Sequence, residues 1–271
     1  MSGSIAENLA QVRERIATAA AQAGRPPREI TLIAVSKTKP PQAVAEALAA
    51  GQRIFGENRV QEALEKMAHV PAEAEWHLIG HLQRNKSRLV PGSFSAVQSV
   101  DSERLAHALE GHAAAAGRGL DVFIQLNLGR EATKSGVATL AELGRLVETV
   151  LGCPNLRLKG VMTLPDPTLS EADTRRHFAE VRGLQEKLSA EFAPGPQFCE
   201  LSMGMSHDYA LAIAEGATMV RVGSAIFGER GGERGGERGG ERSGEHGAQH
   251  SGQRGSERGG ERSGEICGAR P

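Results

Sequence analysis

The chain has 271 residues, of which 39% are hydrophobic and 24% charged, and its formal net charge is −1. That composition supplies a core for one large α/β domain or two small ones, and it excludes global disorder and binding to a polyanion through bulk charge. Cys153, Cys199 and Cys267 lie far apart with no CxxC spacing, which argues against a zinc site and for a reducing compartment. The first residues hold neither a basic stretch followed by an apolar core nor a long hydrophobic span. The expectation is therefore a cytoplasmic protein without a membrane anchor.

In chain order, Ser4 to Ala23 places Ile5, Leu9, Val12 and Ile16 at helical spacing, with Ser4 and Glu7 set as a capping box. Short β-branched runs then alternate with helical patterns. The strand candidates are Ile30–Ser36, Arg53–Phe55, Trp76–Ile79, Ala96–Val100, Asp121–Asn127, Leu156–Met162, Phe198–Leu201 and Thr218–Val222. The helical stretches between them include Gln42–Ala50, Asn58–Ala68, Ser102–Ala116, Leu140–Leu151, Glu171–Glu191 and Ser206–Ala214, each ending near Gly or Pro. Alternation of strand and helix gives parallel strands joined by right-handed crossovers, and eight such units close most simply into a TIM-type (β/α)₈ barrel. An open doubly wound sheet permits the same alternation. Against it, no GxGxxG follows the first strand, and polar clusters follow nearly every strand instead of gathering at one switch point.

From Gly228 onward the composition turns to Gly, Glu, Arg and Ser, with Gly-Glu-Arg-Gly repeating through Glu229–Arg242. The reading is a single barrel domain over residues 1–230 and a low-complexity tail over 231–271, too poor in apolar residues to repay the entropy of ordering. An RGG-like segment that associates with RNA is the sharper alternative. Glutamates that balance its arginines, and the lack of aromatic residues for stacking, favour a solvated appendage with no nucleic-acid partner.

The chemistry gathers at the strand ends. Lys37 closes the run Ile30-Thr31-Leu32-Ile33-Ala34-Val35-Ser36, just before the break at Pro40-Pro41. An amine at the carboxyl end of a buried strand can lose part of its hydration, which lowers its pKa and exposes the neutral form that attacks carbonyls. The ordinary alternative is a salt-bridging or snorkelling lysine. Barrels commonly hold a phosphate at the loops after strands seven and eight. Here those loops are Ser202-Met203-Gly204-Met205-Ser206 and Gly223-Ser224, whose hydroxyls and glycines suit an anion; helix capping is the alternative use. Arg221 is the one charge in an apolar strand and needs a partner, either a ligand or a structural carboxylate at Glu57 or Glu200. His81 and His207 read as polar surface, with an acid or base role as the alternative, and Phe55 and Trp76 read as core. A reactive amine at one end and a phosphate cradle at the other describe a ligand with an aldehyde and a phosphate. Pyridoxal 5′-phosphate (PLP) fits, and a sugar-phosphate aldolase stays open on these residues alone.

Five segments carry a closer resemblance: Ile33–Lys39, Phe55–Glu62, Trp76–Lys86, Leu201–Ser206 and Val220–Gly228. They resemble the pyridoxal phosphate homeostasis protein family, the YggS/PROSC-like PLP-binding proteins, over about Ile5 to Arg230. The resemblance implies a barrel similar to the N-terminal domain of bacterial alanine racemase, with PLP held on Lys37 as an internal aldimine. By the same resemblance the phosphate lies against Ser202, Gly204, Ser206, Gly223 and Ser224. Arg221 then faces the pyridine nitrogen, and Asn58 lies near the cofactor. The resemblance also leans toward a monomer, with PLP-dependent apoenzymes as candidate acceptors. The Gly/Glu/Arg tail is foreign to the pattern, and His207 stands where a small or acidic residue is expected.

Alanine racemase sets a tyrosine from a second domain on the far face of the cofactor, whereas this chain has one tyrosine, Tyr209, which reads as a packing residue. An arginine at the ring nitrogen disfavours the pyridinium and weakens the ring as an electron sink. The expectation is thus a PLP carrier involved in vitamin B6 and amino-acid homeostasis, without robust catalytic activity. The rival is a PLP-dependent amino-acid racemase.

Overall fold

The computed structural model describes residues 3–129 and 135–228. Eight parallel strands close into a barrel in the order of the sequence, the first pairing with the second and with the last. They are β1 (Thr31–Val35), β2 (Ile54–Glu57), β3 (Glu75–Leu78), β4 (Ala96–Val100), β5 (Leu120–Leu126), β6 (Leu156–Thr163), β7 (Glu200–Met205) and β8 (Met219–Val222). The helices are α1 (Ile5–Gln22), α2 (Pro41–Ala49), α3 (Val60–Met67), α4 (Glu103–Ala116), α5 (Leu140–Leu151), α6 (Glu171–Phe192), α7 (Tyr209–Ala214) and α8 (Ser224–Phe227). The expected TIM-type barrel is the fold found. Tail residues 231–271, Cys267 and part of the loop Gly129–Gly136 lie outside the described residues.

The first helix starts where its caps direct. The Ser4 hydroxyl accepts from the Glu7 N–H and the Glu7 carboxylate from the Ser4 N–H, so two otherwise orphaned donors are satisfied reciprocally. Its buried stripe of Leu9, Val12 and Ile16 packs toward the barrel's outer layer. Asn8 ties α1 to α8 by donating to the Ile226 carbonyl at 3.0 Å.

Each strand turns alternate residues to two different cores, as the period of two requires. Phe55, Leu78, Val97 and Leu120 belong to the large apolar layer between sheet and helices, where Phe55 meets Trp76 at a ring separation of 5.6 Å. Ala96, Phe123 and Met162 form a separate small cluster, with Leu164 and Met219 packed against it. The inward rows also carry His77, Gln98, Ser202 and Arg221, all buried.

The main departure from the sequence reading lies at β7. The strand does not stop at Leu201 but continues to Met205, with a register shift against β8 between Ser202 and Met205. Gly204 sits inside that irregularity at φ +93°, a backbone conformation that a side chain strains. Ser202 and Gly204 are therefore strand residues, and the loop proper begins at Ser206.

Candidate functional site

At the carboxyl ends of the strands lies a cavity of about 530 Å³. That is within the roughly 300–1,000 Å³ range of small-molecule sites. Lys37, Asn58, Ser206, Arg221, Gly223 and Ser224 all line it. Of the eight expected site residues, Ser202 and Gly204 are absent from the wall, because β7 carries them below it. His81 and His207, which the sequence assigned to plain surface, line the cavity too, as do Gln125, Met205 and Ile79. Tyr209 is buried in the apolar layer at the start of α7, in keeping with packing.

Local rules explain the placements. Gly80 passes directly over the backbone of Asn58: a Cβ on Gly80 would stand 2.4 Å from the Asn58 carbonyl oxygen. The Ser99 hydroxyl fixes the Gly80 carbonyl at 2.7 Å from the next strand. Across the cavity, the hydroxyls of Ser206 and Ser224 come within 3.4 Å of each other. Two loops thus present adjacent donors to one point, beside the glycine backbone at Gly223.

Arg221 is fully buried, and neither Glu57 nor Glu200, the structural partners weighed against a ligand, is among its contacts. Its Nη1 donates to the Ser202 hydroxyl at 2.6 Å and its Nη2 to the Thr163 carbonyl at 2.7 Å. Glu57 is engaged instead by Lys66 and Ser36, and Glu200 accepts from the Thr218 hydroxyl. Burial pushes the guanidinium down to about 10, opposed by the charge of Asp208, so it stays a cation at neutral pH.

The contacts of Arg221 continue inward as a chain of one direction. Ser202, having accepted from the guanidinium, gives its own proton to Gln98 Oε1 at 2.6 Å. Gln98 then turns its NH₂ toward His77 Nδ1 at 3.0 Å, so that nitrogen must be the bare one. The remaining proton of His77 lies on Nε2, facing Glu75 at 3.3 Å, and this hydrogen bond holds the Glu75 carboxyl below the ordinary range against the opposing effect of burial. Along this line of side chains the donors run from Arg221 toward Glu75. The sequence carried a sign of this, since Gln98 is a polar residue flanked by valine and serine in a buried strand, as odd there as Arg221 is in β8.

The family model for the alanine racemase N-terminal domain matches residues 7–231. The pyridoxal phosphate homeostasis protein of Escherichia coli K12 is 47% identical over 230 residues, covering 83% of this chain and 97% of that protein. The chain belongs to the pyridoxal phosphate homeostasis protein family. Its counterpart of the same name in Pseudomonas aeruginosa is also 47% identical, with 83% and 96% covered. Among solved structures, this family member resembles PipY of Synechococcus elongatus at 39% identity, covering 83% of this chain and all of that one, with TM-scores of 0.76 for the form without PLP and 0.74 for the form with PLP bound. Alanine racemase from Bartonella henselae shares the fold at 18% identity and a TM-score of 0.60. Among the described residues no helix is long and apolar enough to cross a membrane, and no group of three or more metal-ligating side chains comes together.

Proposed function

We propose that this protein binds PLP in the cavity at the strand ends, holds it covalently through Lys37, and serves intracellular PLP and amino-acid homeostasis as a carrier in the cytoplasm. The observation that carries the reading is the convergence of an amine, a buried guanidinium and a pair of facing hydroxyls on one cavity. Relatives of the same name, and PipY solved with PLP bound, support it. When bound, PLP supplies an aldehyde, a phosphate and a pyridine ring, and the donor set suits each.

In this reading the chain's own groups divide the work. The Lys37 amine, at the mouth of β1, takes the aldehyde carbon. Ser206 and Ser224 donate to the phosphate, with the Gly223 backbone allowing close approach. Asn58 flanks the ring, and Arg221 faces its nitrogen. Ser202 and Gly204 act one step removed, Ser202 by holding the guanidinium and Gly204 by shaping the turn to Ser206. Because a guanidinium only donates, it leaves the ring nitrogen unprotonated and a weak electron sink, which fits storage better than turnover. The single tyrosine lies in the core and not at the cavity. PLP-dependent apoenzymes are the acceptors this reading implies, with the barrel of residues 1–230 as the binding domain and a monomer as the working unit.

Borohydride reduction of the PLP-loaded protein followed by peptide mapping tests the reading. The pyridoxyl group is expected on Lys37; its appearance on another lysine, or its absence, overturns the assignment. The imidazoles of His81 and His207 at the cavity keep a racemase as the second reading, favoured if the pure protein converts L-alanine to D-alanine at enzyme-like rates.

Arg221→Met tests the ring side of the cavity. Met ends the desolvation of a buried cation but leaves the Thr163 carbonyl and the Ser202 hydroxyl without their donor, at a cost of about 1–3 kcal/mol. The urea midpoint is therefore expected to fall modestly, while affinity of the folded protein for PLP falls about tenfold, or about 1.4 kcal/mol. Unchanged affinity in the folded variant would show that Arg221 supports the barrel and not the ligand.

A further inference from the structure

The residues on either side of Lys37 are gripped by three charged side chains that have no place in the cavity wall. Ser36 donates its hydroxyl to Glu57 Oε1 at 2.7 Å, and its carbonyl accepts from Lys66 Nζ at 2.7 Å. Thr38 gives its backbone N–H to Glu62 Oε1 at 2.6 Å. Lys66 joins the two carboxylates, at 2.7 Å from Glu57 and 2.9 Å from Glu62. Glu57 ends β2 and Lys66 and Glu62 sit on α3, so the grip reaches the end of β1 from the neighbouring β/α unit.

Two features make this an expensive arrangement for packing alone. Glu57 is wholly buried, and its Oε2 has no hydrogen-bond partner. Burial drives its carboxyl above the ordinary range despite Lys66 and Ser36. An apolar pair of similar volume would fill the same space at less cost. Thr38 also holds φ +64°, a left-handed conformation rare for a β-branched residue, and its N–H is the one that Glu62 takes. Strain of this kind persists only where neighbouring groups over-determine the backbone. The strained bond follows Lys37 directly, and the strain fixes the direction in which the chain leaves it.

We infer that Glu57, Lys66 and Glu62 are positioning residues that clamp the backbone on both sides of Lys37 and so set its amine for attack on the ligand's aldehyde. The inference rests on the reading of Lys37 as the covalent anchor. The clamp touches neither ring nor phosphate, so its contribution belongs to the carbon–nitrogen bond alone: the amine adds to the aldehyde carbon, water leaves, and one imine replaces one carbonyl. A misplacement of about 1 Å at a reacting group can cost up to a hundredfold.

The test compares PLP with pyridoxine 5′-phosphate, which has the same ring and phosphate but an alcohol where the aldehyde stands. In the wild-type protein PLP is expected to bind more tightly, and Lys37→Ala to abolish that preference. Glu57→Leu/Lys66→Met removes the buried pair together, leaving only the part-exposed Glu62 without its lysine, and Glu62→Met frees Thr38 from that end of the cluster. Both are expected to cut the preference for PLP roughly ten- to hundredfold and to slow borohydride trapping, with affinity for the alcohol unchanged. Equal loss for both ligands would reduce the cluster to a structural role, and an undiminished preference would remove it from the site; either overturns the clamp while leaving the anchor intact. A wild-type protein with no preference, unaffected by Lys37→Ala, overturns the anchor itself. Should the double variant fail to fold, Glu62→Met decides the question alone.

Discussion

Replacing Lys37 with alanine is expected to lower affinity for PLP about a hundredfold, about 2.8 kcal/mol, and to leave affinity for pyridoxine 5′-phosphate where it was. The reasoning follows from what each wall of the cavity offers. In the proposed mode of binding, Ser206, Ser224 and Gly223 meet the phosphate whether or not a carbonyl is present, and Arg221 donates to the ring in either ligand. Only the amine of Lys37 distinguishes an aldehyde from an alcohol. Alanine removes that bond at the end of β1, while the proposed phosphate donors converge from the loops after β7 and β8. Stability should change little, because Lys37 lines a cavity and does not fill a core. Equilibrium titration with both ligands, beside a urea melt, checks all three expectations. A loss shared equally by the two ligands would mean that Lys37 acts as a phosphate-side cation and not as the anchor.

The polar interior of the barrel fixes the guanidinium of β8, the strand paired with β1. Arg221 is held on one side by Ser202 and on the other by the Thr163 carbonyl, and the line of donors behind Ser202 ends on a carboxylate at the start of β3. Hydrogen bonds running one way along such a chain reinforce one another. A cation buried without a carboxylate in contact is thereby steadied at a distance. Its aim then depends on residues that never meet the ligand.

Much of the fold was legible because the signals were local. Ala96–Val100 and Leu140–Leu151 fall where the pattern sets them, the one as a short run of apolar and small polar residues and the other as a stripe bounded by Thr139 and Gly152. The lysine after β1 was legible for the same reason: a charge separated by a single serine from the apolar run Leu32–Val35 is conspicuous. β7 was misread because Ser202-Met203-Gly204-Met205 looks like a loop by composition, and only its neighbours make it a strand. Inside a closed barrel a serine can be buried when Arg221 of the next strand and Gln98, far away in sequence, meet its hydroxyl. His81 and His207 were given to the surface for a related reason, since a rim position depends on where separate loops converge. The grip of Glu57, Glu62 and Lys66 on the Lys37 backbone was invisible in the sequence, where a helical Glu62–Lys66 spacing reads as an ordinary exposed pair.

Gly204 is where the fold and the site meet most tightly, and Gly204→Val should be the most damaging single change among the positions considered. Its backbone holds φ +93°, and a Cβ there would lie 2.6 Å from the Cβ of Ala212 and 2.9 Å from the Cα of Tyr209. These are atoms of α7, which packs down onto the strand, and the Tyr209 atom is backbone that cannot rotate aside. Strain from the positive φ costs about 1–3 kcal/mol. Overpacking of a filled interior adds about 1–3 kcal/mol more. A loss of about 2–6 kcal/mol is therefore expected in urea unfolding, a large part of the stability of an ordinary domain. Alanine carries the same Cβ and should fall toward the lower end of that range. If α7 gives way instead of the fold, the turn from Met205 to Asp208 moves with it, because the Met205 N–H is fixed on the Asp208 carboxylate at 2.5 Å. Ser206 lies within that turn. A folded Gly204→Ala protein is accordingly expected to lose affinity for PLP and for pyridoxine 5′-phosphate to the same degree, the signature of a displaced phosphate donor and the opposite of the selective loss expected at Lys37.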